Sequence, residues 1–191
     1  MSLSGLNVFL RSFFRAEKVL KLFFVICTLV AFNDRHLRAE NENNDRTIKS
    51  LRLATFVADV TPPLGHPLFG SISPPAQEIG EPLSARGMVL LGSDEPVVIV
   101  SVDWLEIRND AYRSWREALA EAAGTQPQRV LLSSVHQHDA PLADLTAQRL
   151  LTDAKLAGQW IDPVFHRKAV AGVADAIRAA LPKVQPVTHL G

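Results

Sequence analysis

Two apolar runs separated by one amphipathic segment constrain this chain more than anything else in it. The first, Val97–Val102 within residues 96–103, is nearly continuous in β-branched residues and is expected to form a strand buried on both faces. Residues 109–124 then place Tyr112, Trp115, Leu119 and Ala122 three or four apart. That is helical spacing, with Asn109 or Asp110 as the cap and Gly124 where a left-handed end is wanted. After Thr125-Gln126-Pro127-Gln128, residues 129–135 repeat the buried-strand pattern. A strand, a helix of this length and a second strand predict a crossover onto a parallel neighbour.

The flanking segments extend the sheet. Residues 51–60 alternate loosely in apolar character and run into Thr61-Pro62-Pro63-Leu64-Gly65, a strand entering a rigid turn. The stretch from there to Pro82 is rich in Pro, Gly and Ser, and so long a loop inside a domain is a candidate wall of a site. Its one histidine, His66, reads as a polar loop residue. Residues 86–92 and 96–103 flank the short turn Ser93-Asp94-Glu95 and are expected to close an antiparallel hairpin. Further on, Asp162-Pro163 is a cap followed by proline at the first helical position. Val164, Phe165, Ala169, Val173, Ile177 and Leu181 form its apolar stripe. Residues 184–191 look like the start of another strand. The predicted class is α/β, a mixed β-sheet with flanking helices and one strand-helix-strand crossover, in a domain that is incomplete as it stands.

The first 50 residues are of a different kind. Lys18 and Lys21 precede an apolar run over residues 22–32, shorter than the roughly 20 residues a bilayer span takes. Its length suits a leader ending after Leu37-Arg38-Ala39, so residues 1–39 are expected to be a signal peptide or, alternatively, an uncleaved membrane anchor. Residues 40–50 are polar and without apolar period, a linker, and the folded domain is expected over 51–191. Export, periplasmic or secreted, is the localisation this implies, and it is compatible with peripheral membrane contact.

Charge and cysteine content exclude some functions. Lys+Arg and Asp+Glu both number 20, and no basic stripe is interleaved with aromatics, so nucleic acid is not expected as a partner. The single cysteine, Cys27, lies in the leader run, which removes cysteine chemistry from the folded part.

The residues with chemical potential begin where the second apolar strand ends, at His136-Gln137-His138-Asp139-Ala140-Pro141. Side chains two apart on an extended segment point the same way, so both imidazoles can address one side of the sheet rim. Asp103 ends the preceding parallel strand and is expected at the same edge, where open α/β sheets bind ligands. Two readings stand on this pattern alone. In one, the imidazoles hold a metal such as zinc; in the other, they hydrogen-bond Asp103, Asp139 and loop carbonyls.

Four segments carry a resemblance. Ala58-Asp59-Val60-Thr61-Pro62-Pro63-Leu64-Gly65, Glu81 through Leu90, Val100-Ser101-Val102-Asp103 and Leu132 through Pro141 resemble, in order, the amino-terminal catalytic domain of neutral/alkaline non-lysosomal ceramidases. The resemblance implies a zinc-dependent hydrolase of an N-acyl amide, with a ceramide-like lipid as substrate. It makes His136 a zinc ligand and His138 a donor to the metal-bound water or the developing oxyanion. Apart from the resemblance, Asp103 is the candidate metal carboxylate by its place at the strand end, and Arg86 is either a second group to stabilise charge on the carbonyl oxygen or a surface cap at a strand start. Gln137, Asp139 and Ala140 depart from the usual His-Thr-His-Ser-Gly-Pro, and Asp139 adds negative charge near the metal. The family's second histidine ligand, glutamate and tyrosine have no counterparts here, so an incomplete metal site is expected. Asp144, Asp153, Asp162, Asp175, His166 and His189 are the substitutes left after Pro141, with His166 expected on partly exposed helix surface. A non-catalytic exported domain of the same fold is the alternative function.

Overall fold

The computed structural model describes residues 50–156 and 159–189. The expected leader over 1–39 and nearly all of the linker lie outside them.

Seven strands and three helices alternate along the described chain. Strands β1 (Arg52–Asp59), β2 (Ser84–Leu91) and β3 (Val97–Val102) form an antiparallel meander. Helix α1 (Asn109–Ala123) then carries the chain to β5 (Val130–Ser134), which lies parallel to β3. The crossover and the hairpin are those the sequence predicts. A two-residue strand β7 (Gln185–Pro186) adds to the far edge, giving the order β5-β3-β2-β1-β7. Between these, β4 (Glu106–Arg108) and β6 (Leu142–Asp144) make a separate parallel pair, and helices α2 (Leu145–Asp153) and α3 (Pro163–Ala180) follow.

Helix ends follow their capping chemistry, with one exception. The Asp162 carboxylate accepts from the Val164 N–H at 2.8 Å, and Gly124 ends α1 at φ 67°. At the start of α1, neither proposed cap acts. Arg108 occupies the cap position without a side-chain bond, and Asn109 instead donates through Nδ2 to Asp144 at 2.8 Å. That carboxylate also accepts from the Ala147 N–H at 2.9 Å and caps α2, a helix the sequence reading did not anticipate.

The core lies on one face of the sheet. Val98, Val100 and Val102 of β3, Ala54 and Phe56 of β1, and Ala85 and Val89 of β2 meet Trp115 and Leu119 of α1 and Val173 and Ile177 of α3. Strand β3 is therefore buried on one face only, against expectation, with Val97, Ile99 and Ser101 half-covered on the other. Strand β5 is an edge, and its Leu131 is 59% exposed. Length and apolar content cannot distinguish a one-sided strand of β-branched residues from a two-sided one.

His166 departs most from expectation. It is 1% exposed, because α3 turns Phe165, His166, Ala169 and Val170 together toward the core and sets the imidazole near Trp104 and Trp115.

Candidate functional site

The loop from β5 to β6 is tied on both sides by backbone hydrogen bonds. The Val135 N–H donates to the Val102 carbonyl and the His136 N–H to the Trp104 carbonyl, both at 3.1 Å. From the other side, Leu105 donates to the Pro141 carbonyl at 3.1 Å and Phe69 to the Ala140 carbonyl at 3.0 Å. These bonds pin residues 135–141 between the end of β3 and the Pro-rich loop, at the carboxyl ends of the two parallel strands.

Two strained segments meet there. His136 has φ 63°, in the left-handed region that the clash of Cβ with the backbone makes rare outside glycine. Phe69, Gly70 and Ser71 occupy that region in succession, at φ 48°, 58° and 65°. At Gly70 a Cβ would stand 3.0 Å from the Trp160 ring, closer than side chains usually approach. Strain held by surrounding structure clusters where side chains are aimed for a purpose.

The two imidazoles come together as the sequence predicts, with ring centroids 5.4 Å apart and planes 74° from each other. His138 lies flat on Phe69 at 4.7 Å. His136 turns Nδ1 toward Glu106 Oε1, 3.5 Å away, while Glu106 also pairs with Arg108 through its other oxygen. Glu106 was not singled out from the sequence. Its only signal there is a lone acid in the apolar run Trp104-Leu105-Glu106-Ile107.

Asp103 and Arg86 sit in a second cluster. Asp103 Oδ2 accepts from the Ser84 N–H at 2.8 Å and from its hydroxyl at 2.7 Å, and the same hydroxyl accepts from Arg86 Nε at 2.8 Å. Asp103 joins Gln137 and Asp139 in lining a cavity of about 960 Å³, whose far wall is the Pro-rich loop. The loop thus does wall a cavity. Gln137 and Asp139 line that space, while the imidazoles pack beside Glu106 and Phe69.

His66 anchors this wall. It is 3% exposed, donates from Nδ1 to the Pro67 carbonyl at 2.7 Å and accepts at Nε2 from the Asp162 N–H at 3.3 Å, tying the loop to the start of α3. Burial pushes its pKa down, opposed by the Pro67 carbonyl and the Asp162 carboxylate.

Two imidazoles and a carboxylate are the donor types zinc takes. In number they fall short: among the described residues no three His, Cys, Asp or Glu side chains converge as a metal-holding group.

No family model and no curated protein matches the sequence. Solved structures similar to it include two ceramidases. One is neutral ceramidase from Pseudomonas aeruginosa, at 18% identity and a TM-score of 0.50 over 72% of this chain. The other is a ceramidase complexed with C2, at 20% identity and 0.51 over the same share. The chain spans 22% of each of those proteins. The likeness is one of fold: the mixed sheet with its helices matches a part of the ceramidase architecture.

Proposed function

We propose that this chain contributes one side of the active site of a zinc-dependent hydrolase that cleaves an N-acyl amide, with a ceramide-like lipid as substrate. The observation that carries the reading is the pair of imidazoles at the rim of the parallel strands, 5.4 Å apart on a strained, pinned loop, within a fold similar to part of neutral ceramidases. The described residues do not complete a zinc site, so the remaining ligands belong to residues outside them or to another chain. Zinc bound in such a site supplies a water acidic enough to attack an amide carbonyl.

The chain's own groups have distinct roles in this reading. His136 presents Nε2 as donor atom, its Nδ1 facing Glu106. His138, held against Phe69, donates to the carbonyl oxygen as charge develops on it. Asp103 borders the adjoining cavity as a fixed polar edge, and Ser84 joins it to Arg86. Export by the apolar segment over residues 22–32 belongs to the same reading and is supported by its length and the lysines before it. The described residues contain no helix long and apolar enough to cross a membrane.

A second reading, a non-catalytic domain of the same fold, is favoured by the shortfall of metal donors. Zinc titration of the full chain by chelator competition, beside hydrolysis of N-acylsphingosine, separates the two. The expected result is zinc binding that weakens at least about tenfold in His136→Ala, and amide cleavage that the same substitution abolishes. Zinc binding without cleavage supports the second reading, and a chain indifferent to zinc overturns the metal assignment.

A further inference from the structure

We infer that His66 is a pH-sensitive latch, tying the Pro-rich wall of the cavity to the start of α3 while its ring is neutral and freeing that wall when both ring nitrogens carry a proton. The inference goes beyond the hydrolase reading and does not depend on it.

Two hydrogen bonds define the latch, and they demand opposite roles of the ring. The Pro67 carbonyl, 2.7 Å from Nδ1, only accepts, so Nδ1 carries a proton. The Asp162 N–H, 3.3 Å from Nε2, only donates, so Nε2 presents its lone pair. A neutral imidazole meets both demands. A protonated one is a donor at both nitrogens and turns an N–H toward the N–H of Asp162. The residue is 3% exposed, so the charged ring is also deprived of solvation until it leaves its place.

The groups around the ring do not offset this. Pro67 and Phe165, whose ring centroid lies 4.8 Å away, are uncharged. Asp162 is the charged group that acts on His66, and its carboxylate is itself engaged by the Val164 N–H at the helix cap. Burial outweighs both that carboxylate and the Pro67 carbonyl, and holds the imidazole below its ordinary pKa.

What the latch holds is strained. Phe69, Gly70 and Ser71 lie consecutively in the left-handed region, which is kept only where the surroundings over-determine it. Besides His66, those surroundings include the Trp160 ring beside Gly70 and the Gln159 carbonyl, which accepts from the Ser71 hydroxyl. All three ties run to residues 159–162. The same loop reaches the imidazoles: the Phe69 N–H donates to the Ala140 carbonyl, and its ring lies on His138. Releasing His66 therefore loosens the cavity wall and the support of His138 together.

Hydrogen exchange of the full chain at pH 7.5 and 5.5, corrected for the intrinsic pH dependence and read by mass spectrometry, tests the latch. The reporters are the amides of residues 65–76, where Gly65, Ile72 and Ala76 donate within the loop. Opening coupled to uptake of one proton at the ordinary histidine pKa is about tenfold more favourable at the lower pH. Loop protection is expected to fall by about that factor while β3 keeps its protection. His66→Gln retains an acceptor for Asp162 and does not titrate, so it is expected to keep the loop protected at both pH values. His66→Ala is expected to leave it weakly protected at both, and His166→Phe to retain the pH response of the parent chain. Loop protection independent of pH in the parent chain overturns the inference without need of any variant. A loss shared equally by β3 overturns it as well, being acid unfolding of the whole. So does a loss that persists in His66→Gln or vanishes in His166→Phe, since it then belongs to another group.

Discussion

Phe69 and His138 are stacked, their ring centroids 4.7 Å apart and their planes within 20°, and Phe69 holds this position on a backbone at φ 48°. Strain on one residue is thus exchanged for orientation of the other. Phe69→Leu keeps an apolar side chain over the imidazole and removes the stacked face. It is expected to lower stability by about 0.5 to 1.5 kcal/mol, the usual worth of such a pair beyond its area. Urea unfolding measures the loss, and the ring protons of His138 should lose their aromatic shielding in NMR. Unchanged proton shifts would show that the stack does not persist in solution.

Gly87 tests the sheet itself. A Cβ there would stand 2.4 Å from Cζ of Phe56 on β1 and 2.5 Å from the backbone carbonyl oxygen of Ile99 on β3. The ring can turn aside, but the carbonyl belongs to the β2–β3 ladder. Gly87→Ala is expected to destabilise by about 1 to 3 kcal/mol, the range of forced overpacking. Adding Phe56→Leu should recover only part of the loss in a thermal melt, because the carbonyl contact remains. Full recovery would assign the whole clash to the ring.

How far the sequence discloses this structure depends on the kind of information each element needs. The β3-α1-β5 crossover and the Asp162-Pro163 start of α3 are legible because period, cap and turn residues all act locally. The approach of His136 to His138 is legible only in part: the spacing of two is in the sequence, but the left-handed backbone at His136 that sets the rings is not. Glu106 is not: its distance to His136 depends on the β4–β6 pair, two three-residue strands without readable period. The burial of His166 is likewise a tertiary fact. A histidine between Phe165 and Arg167 has no local mark of facing two tryptophans.

Asp103 braces two strands through one oxygen, which receives both the N–H and the hydroxyl of Ser84. Asp103→Asn keeps an acceptor but loses the charge that strengthens both bonds. A cost of about 1 to 2 kcal/mol is expected, rising toward 3 in Asp103→Ala, where a half-buried N–H is left without its partner. Denaturant midpoints of the two variants measure this. Equal midpoints for Asn and Ala would mean the carboxylate does not carry the brace.

The buried His166 makes the fold sensitive to acid. Burial, with the neighbouring Arg167 charge adding to it, pushes its pKa down to about 4 from the ordinary 6.5, and neither ring nitrogen has a hydrogen-bond partner among the described residues. Above pH 6.5 the folded and unfolded chains both carry this ring neutral, so it makes no demand on stability. As pH falls below 6.5 the unfolded chain takes up a proton that the folded chain refuses until about pH 4. Folding is therefore penalised progressively across that window, by up to about 3 kcal/mol. The depressed pKa of His66 acts in the same direction. His166→Phe removes the titrating group and the two unpaired nitrogens while keeping a flat ring beside Trp104 and Trp115. It is expected to cost less than about 1.5 kcal/mol at pH 7. Between pH 6.5 and 4 its stability should fall less steeply than that of the parent chain, by about one proton's worth of slope. Urea midpoints at pH 7, 5.5 and 4.5 give both slopes, and parallel lines would mean that His166 does not exclude its proton from the fold.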